Sequence, residues 1–492
     1  MDPSLRSTSA VHRFRSTEPR QPLHPREKLL LGIIVAHLSF LPWALGTAPL
    51  WAQLISLAFA FLGFIVALSP RYYTSELAGG PPFSLLTWPK LLRFPLFWVG
   101  LALFAYIALQ GFNPAWEYIE RDRLWWMQQI PHIDWLPQGT RNPFRLGGPW
   151  RLLLIYASAW LVVCSIWVGF TRRRTLRYLL VALISNGVLF TAFALLQRLT
   201  DAKQIYWSWT SPNASFFGSF IYKNHAGAYL LLILGATCAL AAWHYVRGRR
   251  KLEKSTPVGV LVFFATILAV AIYVSYARGA TLFAALFLAF AAGVALVLHW
   301  RQPAELRKPF VGVVFLLGLG AFLYVGADSL SAERAWRRLQ RIADASDVTI
   351  GSRQAAARAA FDMFKDNWAW GTGAGSFRFL FPAYQQNYPE IFEARKHRQF
   401  WDFAHNDIIQ IPAELGAFGI AVIAFGFCFW LWRLLSVKFI RSPLSVLLVG
   451  CAVVLVAHSW TDFLFYNPAI LITWCSLWPI AALWPALEER RR

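Results

Sequence analysis

The apolar residues of this chain are gathered into blocks of about 19–24, the length a helix needs to cross the roughly 30 Å hydrocarbon core of a bilayer. In lipid every backbone polar group must be satisfied internally, so blocks of this length are read as helices. Twelve of them are predicted, near 29–46, 49–69, 94–112, 150–170, 178–198, 225–246, 257–275, 278–300, 309–327, 414–435, 443–464 and 468–487. Composition bears on this because only 15% of the 492 residues are charged. A globular domain carries about 25%, so too few charges remain to solvate a water-soluble surface of this size. The expected fold is all-α: a polytopic membrane protein with about 12 transmembrane helices and a large helical outside loop between spans 9 and 10. A soluble enzyme, a secreted disulfide scaffold and a disordered regulator are excluded. All five cysteines fall inside predicted spans, so disulfides and zinc contribute nothing.

A net charge of +22 would suit a nucleic-acid binder, but its placement points to membrane topology. With the N-terminus inside, the cytoplasmic segments hold about 27 of the 47 basic residues and about 8 of the 25 acids, as the positive-inside rule requires. No nucleic-acid partner is expected. Parity then puts both termini in the cytoplasm. About 28 polar residues precede the first apolar run without a cleavage site after it, so no cleaved leader is expected. The expected organisation is a basic tail at 1–28, membrane spans with a Trp-rich outside loop at 29–149, and a membrane core at 150–327. An outside loop at 328–413 follows, then spans and a basic tail at 414–492.

Unusual residues collect on the outward side. The 328–413 loop is nearly neutral in charge, and loops this long are usually functional. Its first part, SAERAWRRLQRIADAS, sets Trp336, Leu339 and Ile342 at helical spacing, which suits a helix lying on the outer leaflet. A second helix is expected to start at Ser352 as N-cap, with Arg353 on the face of Ala357, Ala360 and Phe364 and with Arg358, Asp362 and Lys365 opposite. An arginine heading an apolar face is costly unless it meets an anion. The Gly371–Ser376 stretch that follows lacks the Walker lysine and a preceding strand, so it is read as a tight turn.

His405, Asn406 and Asp407 stand at the expected start of the tenth span, which Pro412 is expected to kink. A helix N-terminus attracts anions, and a histidine there is placed for general-base work. Arg278 sits in VSYARGATL, where almost no loop separates two spans, and a charge held between apolar helices at the outer surface is a functional candidate. Lys223, Asn224 and His225 open the sixth span from the same side.

Over roughly residues 150–480 the chain resembles the bacterial O-antigen ligase and O-antigen polymerase superfamily, which includes protein O-oligosaccharyltransferases. The resemblance rests on FGSFIYKNHAGAYL, SYARGATL, GSRQAAARAAFDMFKDNWAWGTGAGSF and AHNDIIQIPAELGAFG, in that order. It implies glycan transfer from an undecaprenyl diphosphate carrier to an acceptor hydroxyl, on the periplasmic face of the bacterial inner membrane. It implies no cofactor and no metal. By position, Arg278 and Arg353 match the arginines that bind the donor diphosphate, and His405 matches the essential histidine taken as the base. Lys223, Asn224, His225 and Asn406 are expected to support them. The partners implied are the carrier-linked glycan, membrane lipids, and an acceptor that is lipid A–core, a growing glycan chain or a protein Ser/Thr. The resemblance leaves the acceptor open. The alternative is a lipid-linked glycan flippase or other membrane transporter, which predicts ionisable residues at mid-membrane and broken helices.

Overall fold

The computed structural model describes residues 22–78, 81–122, 124–250, 255–301, 348–392 and 400–489. The expected ninth span at 309–327, the SAERAWRRLQRIADAS helix and the extreme tails lie outside the described residues. Helices stand at or near each of the other expected positions. They are α1 (Pro25–Trp43), α2 (Leu50–Leu68), α3 (Pro95–Phe112), α4 (Pro149–Gly169), α5 (Arg173–Leu199), α6 (Lys223–Arg250), α7 (Val258–Val274) and α8 (Arg278–Trp300). After the outside segment come α11 (Asp407–Ser436), α12 (Pro443–His458) and α13 (Pro468–Glu489). Among the described residues, eight helices are long and apolar enough to cross a membrane, while α7 and α12 are shorter apolar helices. The chain is a polytopic helical membrane protein.

Helices α4, α6 and α13 are buried along most of their length and form the inner layer, against which α2, α5, α7, α8 and α12 pack. Small residues set the spacing, as expected where helices associate by close packing rather than by hydrophobic exclusion. A methyl group on Gly187 of α5 would stand 2.5 Å from Ile233 of α6, and one on Gly235 would stand 2.3 Å from Cys451 of α12. All five cysteines are free and lie in α4, α6, α11, α12 and α13.

One end of the bundle is basic. There Arg173 lies 4.4 Å over the Trp484 ring, Arg247 lies 5.2 Å over Trp243 and Arg433 lies 5.5 Å over Trp167. The buried Glu27 accepts from Thr171 and Thr175 and lies 3.6 Å from the buried Arg71. At the other end the N-termini of α6, α8, α11 and α13 meet the C-terminus of α12.

Short strands accompany the helices between the spans, a small addition to the helical fold expected. The Trp-rich loop forms a three-stranded sheet of β3 (Pro114–Arg121), β4 (Leu124–Gln129) and β5 (Gly139–Arg141), ordered β4-β3-β5. β3 pairs antiparallel with β4 and parallel with β5. A smaller pair, β1 (Arg71–Tyr73) and β2 (Phe83–Leu85), lies at the basic end. In β3 and β4 the residues Trp116, Tyr118, Trp125 and Met127 pack inward against the helical part of the outside segment, and Trp125 meets Phe379 edge-on at 6.3 Å. These side chains pack, half-buried, against that helical part.

That helical part holds α9 (Val348–Asp366) and α10 (Phe377–Gln385). α9 starts four residues before Ser352, which therefore lies inside the helix and does not cap it. Its buried stripe is Ala355, Ala356, Ala359, Ala360 and Met363, and half-buried Arg353 stands one turn before Ala356. Arg358 and Lys365 face solvent and pair with Glu390 at 2.8 Å and Asp362 at 2.7 Å.

Candidate active site

The segment ahead of α11 turns sharply. His405 adopts φ 54°, a left-handed conformation uncommon for a residue with a side chain, and such conformations cluster at functional sites. Asn406 is the N-cap of α11, its side chain accepting from the Ile409 N–H at 3.3 Å. Pro412 lies within α11, but the break falls at Gly416, where φ is 62° and ψ is −174°. Only glycine adopts that pair freely. The Ala417 and Phe418 N–H groups turn there to the Trp368 and Ala369 carbonyls, at 2.7 and 3.3 Å.

The turn fixes His405 over the loop joining α12 and α13. Its Nδ1 lies 3.3 Å from Oδ1 of Asp462, a residue only 1% exposed. Asp462 Oδ1 also accepts from the Phe463 N–H at 3.0 Å, and Oδ2 accepts from the Asn224 amide. Burial pushes the Asp462 carboxyl up, but the hydrogen bond from His405 and the charge of Arg353 outweigh it and hold Asp462 below the usual carboxylate range. An anionic Asp462 therefore holds the Nδ1 side of the imidazole. Phe463 and Trp401 meet the ring edge-on at 4.8 and 5.8 Å. The side chain keeps 21% exposure, and among the described residues Nε2 has no hydrogen-bond partner.

Arg353 reaches the same loop from α9. Nη1 donates to the Thr461 carbonyl at 3.1 Å and Nη2 to the Tyr222 hydroxyl at 3.2 Å. The Asn224 amide also donates to Tyr222, at 2.8 Å. Burial, followed by the charge of Asp462, pushes the Tyr222 phenol well up, so it keeps its proton. Arg278 is exposed at the first position of α8. Its neighbour Gly279 is so close to α12 that a methyl there would stand 2.8 Å from His458 and 3.4 Å from Thr461. On the other side, a methyl on Gly227 of α6 would stand 3.1 Å from Ala277. Tyr222, Asn224, His225, Arg353 and His405 are thus drawn around the Ser459–Phe463 loop, and Gly279 sets the backbone of Arg278 at its edge.

The supporting residues divide. Asn224 acts in this network, whereas Asn406 caps α11. His225 is buried, with Nε2 2.9 Å from the Phe463 carbonyl, and it props the loop from beneath. Lys223 heads α6, its N–H bonded to the Ser215 carbonyl at 3.0 Å.

Sequence reading missed Asp462 and Tyr222. The expected eleventh span ran to residue 464, but α12 ends at His458 and leaves Asp462 in the loop. An acid closing an apolar run that otherwise has none was the available signal. Also missed was how α11 grips this loop. Asp407 Oδ2 accepts from the Leu464 and Phe465 N–H groups at 2.7 and 2.9 Å. The Gly371–Ser376 turn is a turn as expected, and it wraps the Glu414 carboxylate. Gly375 N–H donates at 2.7 Å, Phe377 N–H at 3.3 Å and the Tyr466 hydroxyl at 2.9 Å.

These features define a membrane-embedded protein with a polar site at one end of its bundle, outside the apolar helices. Residues 263–424 match the sequence model of the O-antigen ligase family. The match contains Arg278, Arg353 and His405, and supports placing the chain in the O-antigen ligase and polymerase superfamily, with a general role in glycan transfer. No curated protein matches the chain.

Proposed function

We propose that the protein moves a glycan from an undecaprenyl diphosphate carrier to an acceptor hydroxyl on the periplasmic face of the bacterial inner membrane. The observation that carries this reading is the convergence of His405, backed by Asp462, with Arg353 and Arg278 around one loop. The acceptor oxygen attacks the anomeric carbon as the bond from that carbon to the diphosphate oxygen breaks. The bonding electrons leave with the diphosphate, and the hydroxyl proton passes to Nε2 of His405. In-line attack inverts the anomeric centre. Arg278 and Arg353 bind the diphosphate, since guanidinium groups pair with phosphate oxygens bidentately. Their charge lets the leaving group depart without a metal, in a site where fixed electrostatics count for most.

A flippase would be favoured by ionisable groups deep in a broken helix. α11 is broken, and it buries Asp407 and Glu414. Both carboxylates, however, lie in its first turns and are held by fixed backbone N–H groups, as structural acids are. The test is reconstitution with a carrier-linked glycan and, separately, lipid A–core, a second carrier-linked chain and a Ser/Thr peptide. Release of undecaprenyl diphosphate together with one glycosylated acceptor is expected. Release with none of the three, alongside movement of donor between leaflets, would establish the flippase instead.

A further inference from the structure

Tyr222 is placed by the structure in a role that the family match does not reach, since it precedes residue 263. A phenol hydroxyl has two acceptor lone pairs and one O–H to donate. Both lone pairs of Tyr222 are taken, by Arg353 Nη2 at 3.2 Å and by the Asn224 amide at 2.8 Å. The second amide hydrogen of Asn224 goes to Asp462. Tyr222 cannot turn its O–H toward either donor, and among the described residues nothing accepts it. Tyr222 is half-buried, so its hydroxyl is open to a ligand acceptor that enters beside Arg353. The hydroxyl oxygen lies 3.2 Å from Nη2 of Arg353, and the Tyr222 ring centre stands 6.2 Å from that of His405. The oxygens of a diphosphate are acceptors only, and they gain negative charge as the sugar departs.

We propose that Tyr222 donates its O–H to the departing diphosphate and so acts as a further catalytic residue, one that keeps its proton throughout. The proposal rests on the transferase reading above. As the acceptor oxygen bonds to the anomeric carbon, the electron pair of the breaking bond settles on the diphosphate oxygen. The acceptor proton goes to His405. Tyr222 contributes a hydrogen bond that strengthens with that charge, and it transfers nothing. Arg353 and Asn224 aim the hydroxyl and polarise its O–H, because a hydroxyl that accepts from a cation donates more strongly.

The test uses the full-length protein in proteoliposomes with carrier-linked glycan and the acceptor it uses. Tyr222→Phe should lower kcat roughly 10²-fold, as loss of one donor to a developing anion does, while the donor KM changes little. It should also weaken binding of undecaprenyl diphosphate, measured alone, more than binding of the intact donor. Replacing Tyr222 by 3-fluorotyrosine and 3,5-difluorotyrosine changes phenol acidity at nearly constant shape. With the phenols still protonated, kcat should rise with acidity. A Tyr222→Phe variant with normal kcat overturns the proposal, and so does a loss confined to donor KM, which would make Tyr222 only a prop for Arg353. Should Tyr222→Phe fail to fold, a rate indifferent to fluorination overturns it. If the unaltered protein transfers glycan to none of the acceptors, the transferase reading itself has failed.

Discussion

The Nδ1 of His405 lies 3.3 Å from Oδ1 of Asp462, 57 residues further along the chain. The carboxylate fixes the ring's orientation and leaves Nε2 toward the open side, as an acid does when it positions a catalytic imidazole.

The first expectation follows from that pair. Asp462→Asn should lower kcat by two to four orders of magnitude, roughly the cost of losing such an orienting carboxylate, with donor binding nearly unchanged. The mutant needs both rate and binding measured in proteoliposomes. A normal rate would remove Asp462 from the mechanism.

Asp462 also ties stability to pH. Its folded carboxyl is held below its unfolded value. The resulting stability is therefore present above the unfolded value and is lost as pH falls through the folded one. Thermal unfolding in detergent should show this contribution intact at neutral pH and vanishing only in strongly acid solution. In Asp462→Asn that acid limb should flatten, and an unchanged acid limb would contradict the assignment.

Base and binder should separate. His405→Ala should abolish transfer while protein level and donor binding stay near normal. Arg278→Ala and Arg353→Ala should weaken donor binding as well. Lysine at either position should rescue only in part, because an ammonium does not present the planar fork of donors. Isothermal titration with undecaprenyl diphosphate, beside the transfer assay, distinguishes the two classes.

Orientation in the membrane is checked by labelling. Gln386→Cys and Arg441→Cys place thiols at exposed positions of the outside segment and of the α11–α12 turn. An impermeant maleimide should reach the first in intact cells and the second only after permeabilisation. The reverse pattern would put the site on the wrong side for a periplasmic donor.

Gly416 should tolerate nothing larger. A methyl there would stand 2.4 Å from the Ala369 carbonyl oxygen and from the Gly371 nitrogen, with φ at 62°. Gly416→Ala should destabilise by at least ~3 kcal/mol, from strain of about 1–3 kcal/mol plus the backbone clash. Thermal unfolding of the purified protein reads it directly.

How far the sequence reveals this molecule depends on the distance over which each signal acts. Span positions are local properties of apolar runs, and α8, which begins at Arg278, starts where the pattern places it. His405 stands out as a polar group where a helix begins, and Arg353 as a charge on the apolar face of one. The His405–Asp462 and Arg353–Tyr222 contacts join segments 57 and 131 residues apart, and no periodicity records which helix ends meet. β3 and β4 were hidden for another reason. Their Trp- and Tyr-rich runs, with charged residues between in β3, also describe a membrane interface, and the helices packed against one face, with Phe379 near Trp125, are what the sequence does not record. The break in α11 fell at Gly416 rather than at Pro412 because proline keeps a helical φ, whereas this turn demands a backbone conformation that only glycine holds freely.

The N–H groups of Gly375 and Phe377 at the Gly371–Ser376 turn are arranged to receive an anion, yet Glu414 already occupies them. Under the proposed transfer, the carrier's phosphates would therefore be met by side chains. A ring of rigid N–H groups would hold a spent carrier as firmly as a loaded one and stall the next round. Arginines on flexible stems would follow the diphosphate out toward the lipid and return empty. By closing that ring of donors with a carboxylate, the fold would leave the exit of the product to the groups best able to let it go.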